Sequence, residues 1–276
     1  MTEEISAAER EVKTEASRIV MTEVVSLLAK RDDAVVIVGG WVPELQYPNQ
    51  GHVGSMDVDI AVDARKLDKD HVYETVRNRL TKAGYRPKEG VPNVFFRDVE
   101  HSGETVEVKL DVITGEHDGP REQRSVVTIQ GMPVPKLRGV DLGLDFFVTI
   151  EMEGKLPGGE EITRTVRIPT IAAFICMKAI AMQERLKDKD AYDIYFCLAH
   201  DPEGPESLGQ ACAKMGEVPI VQEAVERLRT DFSALERNGP TWAGRFAEAH
   251  GGDFEAVRRD TYERVGAFLE AYDAAG

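Results

Sequence analysis

The sequence predicts an α/β (α+β) fold in which a small mixed sheet with flanking helices is followed by a helical C-terminal domain. Short β-branched or alternating runs, separated by Gly and Pro, recur between residues 34 and 168 and are typical of strands. From Pro169 onward the apolar residues recur almost entirely at helical spacing. The composition therefore shifts near residue 168, and we expect a mixed domain over 1–168 and a helical domain over 169–276.

The predicted elements follow from hydrophobic spacing and turn residues. Helical spacing predicts a helix over 5–31, and a β-branched run predicts a buried strand over 34–38 that ends at Gly39-Gly40. The other predictions for the first domain are a helical turn at 41–45, an alternating strand over 56–62, a helix over 67–83, paired strands over 94–99 and 105–113, and three or four extended stretches within 124–168. Pro169 marks the start of the second domain, with helices predicted over 170–199, 206–216, 219–237, 241–249 and 253–274.

Composition and charge exclude several classes of protein. The 276 residues carry 34 Lys plus Arg against 49 Asp plus Glu, and the net charge of −15 argues against nonspecific binding of nucleic acid over the whole surface. No apolar run approaches the ~20 residues that span a bilayer. The acidic N-terminus lacks the apolar segment of a signal peptide, and the three cysteines lack the spacing of a disulfide framework. We therefore expect a cytoplasmic protein with no membrane partner.

Two aspartates in one predicted strand are the most informative motif. Asp57 and Asp59 are two residues apart, so their side chains leave the same face of the strand and repel each other. A divalent cation such as Mg²⁺ removes that repulsion. An exposed polar face of an edge strand is the simpler explanation of the pair. Asp111, in an otherwise apolar strand, favours the metal, because three carboxylates on neighbouring strands can hold two metal ions and organise a displacement at phosphorus.

Small residues near these aspartates are candidates for binding phosphate. Gly39 and Gly40 follow a strand and precede a helical turn, where a phosphate can approach the backbone closely. Ser55 lies two residues before Asp57 and could add a hydroxyl to the same phosphates. Both features are also compatible with ordinary turns.

In this order, the residues resemble a known superfamily. Val38-Gly39-Gly40, then Gly54 to Asp59, then Leu110-Asp111-Val112 resemble the nucleotidyltransferases related to DNA polymerase β, with a somewhat longer gap after Gly40. Met177 to Met182, Arg185, and Lys189 to Tyr195 resemble the AbiEii/AbiGii-type nucleotidyltransferase toxins of abortive-infection toxin–antitoxin systems. The resemblance covers about residues 34–200. Family members often carry an arginine four residues before the first metal aspartate; here that position is Val53, and His52 is the neighbouring basic residue.

The resemblance implies a nucleotidyltransferase-like fold, an activity and a set of site residues. Asp57, Asp59 and Asp111 would hold Mg²⁺ (or Mn²⁺), and Lys189 and Asp190 would join them as catalytic residues. The nucleotide would be bound by Gly39, Gly40, Ser55, Lys178, Arg185 and Lys189. The implied reaction transfers NMP from an NTP to a hydroxyl of RNA, such as a tRNA 3′ end, or of a protein. A cognate antitoxin is an implied partner.

Spacing adds one independent expectation for the second domain. If 170–199 is one continuous helix, Lys178, Arg185 and Lys189 form one cationic stripe, which could neutralise a triphosphate in a cleft between the two domains. A solvated helix face is the alternative. Asp190 and Asp193, beside Lys189, are either surface ion-pair partners or residues that orient this lysine.

Two other functions remain open from the sequence. An antibiotic-modifying nucleotidyltransferase of the aminoglycoside type uses the same core, and the net charge of −15 suits a cationic acceptor. A non-catalytic interaction module that retains the fold is the other, although the complete set of three aspartates argues against it.

Overall fold

The protein divides into two compact units. The computed structural model describes residues 6–29, 34–67, 75–116 and 125–276. Unit 1 comprises Met1–Leu45 and Val53–Ile168, and unit 2 comprises Gln46–His52 and Pro169–Gly276. The division at residue 168 coincides with the shift in composition. The segment Gln46–His52, which the sequence places in the first domain, belongs to unit 2 because Tyr47 Oη donates to Asp201 Oδ2 at 2.7 Å and His52 contacts Asp193.

A five-stranded mixed sheet is the centre of unit 1. Its strands are β1 (Val35–Val38), β2 (Val58–Val62), β3 (Arg86–Lys88), β4 (Val91–His101) and β5 (Glu104–Ile113). They lie in the order β1-β2-β5-β4-β3. The β2–β5 pair is parallel, whereas the β1–β2, β4–β5 and β3–β4 pairs are antiparallel. The mixed sheet expected from the sequence is therefore confirmed.

The core of unit 1 forms where helix α1 (Ala7–Leu28) packs against the sheet. Val20, Met21 and Val24 on this helix are buried in one cluster with apolar residues of β2 and β5. Those strand residues alternate along each chain and comprise Val58, Ile60, Val62, Val106, Val108, Leu110 and Val112. Because a strand has a period of two, this leaves the intervening residues of β2 and β5 on the opposite face.

The other elements of unit 1 are short. The helices are α2 (Val42–Gln46), α3 (Ala64–Leu67), α4 (Val76–Lys82) and α5 (Val140–Asp145). The last residue of α2, Gln46, belongs to unit 2. A 3₁₀ turn covers Gly39–Trp41. Two separate hairpins are formed by β6 (Val126–Ile129) with β7 (Met132–Pro135) and by β8 (Phe147–Lys155) with β9 (Glu161–Pro169). The helix predicted over 67–83 is not continuous, because Thr75 is extended and caps the start of α4. Residues 68–74, like residues 5, 30 and 31 of the first predicted helix, lie outside the described residues.

Unit 2 is a bundle of helices. They are α6 (Ile171–Arg185), α7 (Asp188–His200), α8 (Gly204–Ala213), α9 (Pro219–Asp231), α10 (Asn238–Glu248) and α11 (Phe254–Ala275). Helix α6 packs against α7 and α9, and α10 packs against α7 and α11. None of the helices in the described part of the chain combines the length and the apolar character that a membrane crossing requires.

The single helix predicted over 170–199 is wrong. Helix α6 ends at Arg185, because Leu186 adopts the left-handed conformation (φ 50°, ψ 46°) and its N–H bonds back to Met182 O at 3.0 Å. Lys187 is extended, and α7 begins at Asp188 with Asp188 and Asp190 in its first turn, where carboxylates favour the helix dipole. Lys178 and Lys189 therefore lie on different helices.

Candidate functional site

The sheet places two of the predicted aspartates side by side. Asp59 in β2 and Asp111 in β5 are register partners on parallel strands, on the face opposite the core. Asp57 lies just before β2, and its side chain is 50% exposed, against 19% for Asp111. We call the three carboxylates the carboxylate cluster; Asp59 and Asp111 share one polar face, as the alternation predicted, and Asp57 is linked to Asp111 by Lys109, which lies near both.

Gly39 shapes the position of Asp59. It follows Val38, the register partner of Asp59 on β1, and has a φ of 74°. A Cβ at residue 39 would lie 2.2 Å from Asp59 Oδ2, so only glycine leaves room for this carboxylate. Gly40 is buried in the following 3₁₀ turn. Ser55 Oγ accepts a 3.4 Å hydrogen bond from the Asp57 N–H, which fixes the loop in front of β2. The phosphate contacts predicted for these three residues stay predictions.

Lys109 lies among the carboxylates, and the sequence analysis gave it no role. Its Nζ is 2.6 Å from Asp111 Oδ2 and 3.7 Å from Asp57 Oδ2. Burial favours the neutral amine, but the hydrogen bond with Asp111 and the charges of Asp111, Asp57 and Asp59 outweigh it and raise the pKa of Lys109. The signal was visible in the sequence, because Lys109 lies two residues before Asp111 and shares its face of the strand.

The residues present fit a divalent cation chemically. The donor set is all carboxylate, which Mg²⁺ and Mn²⁺ prefer, and a positive charge already stands between two of its members. The space beside Gly39 holds the third carboxylate in place. As the side chains stand, no group of three or more His, Cys, Asp or Glu among the described residues is close enough to hold a metal ion. Metal binding at this cluster therefore stays a prediction.

In unit 2, six side chains form what we call the buried ion-pair cluster. Its members are His52, Lys178, Arg185, Lys189, Asp190 and Asp193. Lys178 Nζ is 2.8 Å from Asp190 Oδ1 and 2.6 Å from Asp193 Oδ2. Arg185 donates to both oxygens of Asp190 at 2.9 and 2.8 Å, and Lys189 donates to Asp193 Oδ1 at 2.8 Å. The turn at residues 186–187 brings these groups together.

Burial and charge fix the protonation of this cluster. Burial alone would raise the pKa of Asp193, but Lys178 and Lys189, with His52, hold it well below the ordinary value. The pKa of Asp190 is also lowered, because Lys178 and Arg185 outweigh its burial, while the pKa of Lys178 is raised by the two carboxylates against burial. Burial and the charge of Lys178 lower the pKa of Lys189. Both aspartates are therefore charged at neutral pH.

His52 is a buried member of the cluster and not a surface cation. Its side chain has no exposure, its Nε2 lies 3.0 Å from Asp193 Oδ1, and its ring stacks on Phe196 edge to face. Burial and the charges of Lys189 and Lys178 lower its pKa below 6.5 despite Asp193. A neutral ring must donate from Nε2, because an ionised carboxylate only accepts. His52 is thus engaged by Asp193 inside unit 2, and whether it or another basic residue takes the place of the arginine that is absent at Val53 stays open.

The structure also corrects the predicted cationic stripe of Lys178, Arg185 and Lys189, because these residues lie on two helices. Lys178 is only 6% exposed and is engaged by two carboxylates, whereas Arg185 is 47% and Lys189 26% exposed. Within the cluster, three cations face two carboxylates and a neutral histidine, and the two more exposed cations lie on its accessible side. Arg185 and Lys189 are thus better placed than Lys178 to meet an anion, and the nucleotide-binding and catalytic roles predicted for Lys178, Arg185, Lys189 and Asp190 stay predictions.

Comparison with known proteins assigns the family. No curated protein matches the chain. The family model described as "Nucleotidyl transferase AbiEii toxin, Type IV TA system" matches residues 47–270, about four fifths of the chain, including both clusters. The match agrees with the resemblance found in the motifs, and it identifies an enzyme rather than a non-catalytic module. The chain therefore belongs to the AbiEii family of nucleotidyl transferase toxins.

Proposed function

We propose that this protein transfers NMP from an NTP to a hydroxyl of an RNA acceptor, such as a tRNA 3′ end, with a divalent cation bound by Asp57, Asp59 and Asp111. The observation that carries the proposal is the register of Asp59 with Asp111 on adjacent parallel strands, with Asp57 and a cationic side chain beside them. The acceptor hydroxyl attacks the α-phosphorus while the bond to the departing pyrophosphate breaks. When bound, the cation would neutralise phosphate charge and acidify the attacking hydroxyl.

The chain's own residues supply the remaining functions. Asp111 is mostly buried and lies next to Asp59, so it is the member of the carboxylate cluster best suited to accept the proton of the acceptor hydroxyl. Arg185 and Lys189 are the more exposed cations of the buried ion-pair cluster, and in this proposal they bind the phosphates of the nucleotide. Lys178 and Asp193 hold these groups in position, because each has two or more partners within the cluster.

The family also suggests a partner. A type IV toxin–antitoxin system pairs a toxin with a cognate antitoxin, and we propose that this chain is the toxin of such a pair. Co-expression with a neighbouring regulator-like reading frame should restore growth that expression of the toxin alone arrests.

A labelled-nucleotide assay tests the reaction. Each of the four α-labelled NTPs is offered with Mg²⁺ to purified protein and total RNA, and we expect one NTP to label RNA of tRNA size. EDTA and Asp57→Asn should each abolish the label. Label transfer that survives both would show that the carboxylate cluster is not the metal site.

The net charge of −15 supports a second candidate, an aminoglycoside-type acceptor, because an acidic surface attracts a polycation. The same assay with aminoglycosides in place of RNA separates the two acceptors. Labelled aminoglycoside without labelled RNA would favour the antibiotic-modifying reaction.

A further inference from the structure

One cation is already present where the proposed metal would bind. Lys109 is 36% exposed, and its ammonium group stands between Asp57 and Asp111, at 3.7 and 2.6 Å from their nearest oxygens. It extends from the middle of β5, whose neighbour β4 fixes the backbone through the Phe96–Lys109 register pair. The lysine therefore reaches the carboxylates from a rigid strand.

The ammonium and a metal ion cannot occupy this position together. Mg²⁺ binds carboxylate oxygens at about 2.0–2.1 Å, so a metal that contacts both Asp57 and Asp111 would take the oxygens that Nζ now approaches at 3.7 and 2.6 Å. Two cations at that separation repel strongly, and the carboxylate charge that holds Lys109 is the charge that would hold the metal.

We propose that Lys109 is a resident counter-cation of the carboxylate cluster, which a divalent metal must displace before it can bind Asp57 and Asp111. This inference rests on the proposed function of the cluster as a metal site. It makes the cluster a weak site for a free metal ion and a better one for a metal that arrives with a nucleotide, because the triphosphate gives the displaced ammonium a new anionic partner.

Direct titration with Mn²⁺, followed by electron paramagnetic resonance, tests the inference without any assay of activity. We expect Lys109→Met to bind Mn²⁺ at least tenfold more tightly than the wild type, and Lys109→Arg to remain within about threefold of it, since the charge is retained. Lys155→Met is the matched control, because it removes the same charge from an exposed lysine that pairs with Glu161 in the β8–β9 hairpin. This control should leave the Kd for Mn²⁺ unchanged within about twofold.

The outcomes separate this inference from the proposed function. If Asp57→Asn weakens Mn²⁺ binding but Lys109→Met binds no more tightly than the wild type, Lys109 is not a competitor and only the inference is overturned. If Asp57→Asn has no effect on Mn²⁺ binding in either background, the metal site itself is wrong. Thermal unfolding confirms that each variant is folded, and Lys109→Gln, which is smaller and polar, should reproduce the gain if Lys109→Met does not fold.

A second titration tests the role of the nucleotide. With a non-hydrolysable NTP present, the tenfold advantage of Lys109→Met should shrink to threefold or less, because the wild-type ammonium is then held by phosphate. An advantage that stays tenfold would overturn the proposal that the nucleotide accommodates the displaced lysine.

Discussion

The two units treat the same kinds of charge in opposite ways. The carboxylate cluster of unit 1 has three aspartates, with Lys109 beside them. The side chains of Asp111, Lys109 and Asp57 are 19%, 36% and 50% exposed. The buried ion-pair cluster of unit 2 has three cations and two aspartates, and both aspartates are nearly inaccessible at 2% and 0% exposure. Within the clusters themselves, aspartates outnumber the cation in the first, and cations outnumber the aspartates in the second.

This difference shows what burial does to an ionic cluster. Water screens the exposed carboxylates of unit 1, so like charges there can lie close together at little cost. Inside unit 2 each aspartate must be neutralised by the protein's own groups, because an unpaired buried charge is strongly destabilising. The same residue types are thus left accessible to solvent in one unit and, for the most part, paired inside the protein in the other.

The largest effect is expected from Lys178→Met. This change leaves Asp190 and Asp193 with fewer cations in a buried site, so the free energy of unfolding should fall by about 3–5 kcal/mol. Urea denaturation at pH 7 measures the loss.

Lys189→Met is the matched comparison in the same cluster. Lys189 is 26% exposed, and Asp193 keeps Lys178 and His52 when it is removed, so the loss should be about 1 kcal/mol. Equal losses in the two variants would mean that the cluster does not depend on Lys178 more than on its exposed member.

Asp59→Asn should act on activity and not on stability. Removing one of three like charges relieves repulsion in the absence of metal, but a lost metal ligand should lower kcat/KM for nucleotide transfer about a hundredfold, or ~2.7 kcal/mol. Steady-state kinetics and thermal unfolding measure the two effects separately.

Asp98→Asn controls for the change of charge. Asp98 lies in the same sheet and pairs with Arg86 at the exposed surface, and its register partner Glu107 is four residues before Asp111 on β5. It should keep wild-type kinetics. A hundredfold loss in both variants would place the effect in the sheet rather than in the cluster.

Gly39→Ala separates backbone strain from the contact with Asp59. A non-glycine residue with positive φ costs about 1–2 kcal/mol, and here the new Cβ also collides with Asp59 Oδ2. Gly90→Ala has nearly the same φ, 73° against 74°, with no atom within 4 Å of its Cβ. Both variants should lose stability by urea denaturation, Gly39→Ala more than Gly90→Ala because of the collision with Asp59, but only Gly39→Ala should lose nucleotide transfer. Equal activity in both would show that Asp59 need not lie against Gly39.

The sequence was sufficient for features that depend on local spacing. The period of two placed Asp57, Asp59 and Asp111 on one face, and the apolar residues between them were found in the core. The end of α6 was not predictable in this way, because helical spacing continues through Leu186 and a leucine, unlike glycine, does not mark a left-handed helix end in the sequence.

Long-range pairing was the other limit. His52 and Asp193 are 141 residues apart, and nothing in the local sequence of either one names the other. Lys109 was different: the alternation of β5 placed it beside Asp111, but a single sequence does not show whether a lysine on that face extends to solvent or turns toward the carboxylates.

The smallest expected effect is on how stability depends on pH, and it tests whether unit 2 excludes a positive charge at His52. The pKa of His52 is lowered in the folded protein from its ordinary 6.5, mainly by burial and by Lys189 and Lys178, with Asp193 opposing. The unfolded chain therefore binds the proton more readily than the folded chain. The contribution of the neutral His52 to the free energy of unfolding is fully present above pH 6.5 and is lost as the pH falls below it, by at most ~1.4 kcal/mol per pH unit. Asp190 and Asp193, with lowered pKa values, lose their contribution only below the ordinary carboxyl range near pH 3.8, which is a separate window.

His52→Gln keeps an N–H donor for Asp193 but does not titrate. Urea denaturation at pH steps from 8 to 5 should give a shallower loss for His52→Gln than for the wild type below pH 6.5, and parallel curves above pH 7.5. Identical slopes throughout would mean that His52 takes up its proton equally in the folded and the unfolded chain. Unit 2 would then tolerate a protonated histidine at this buried position, contrary to the expectation for the interior of unit 2.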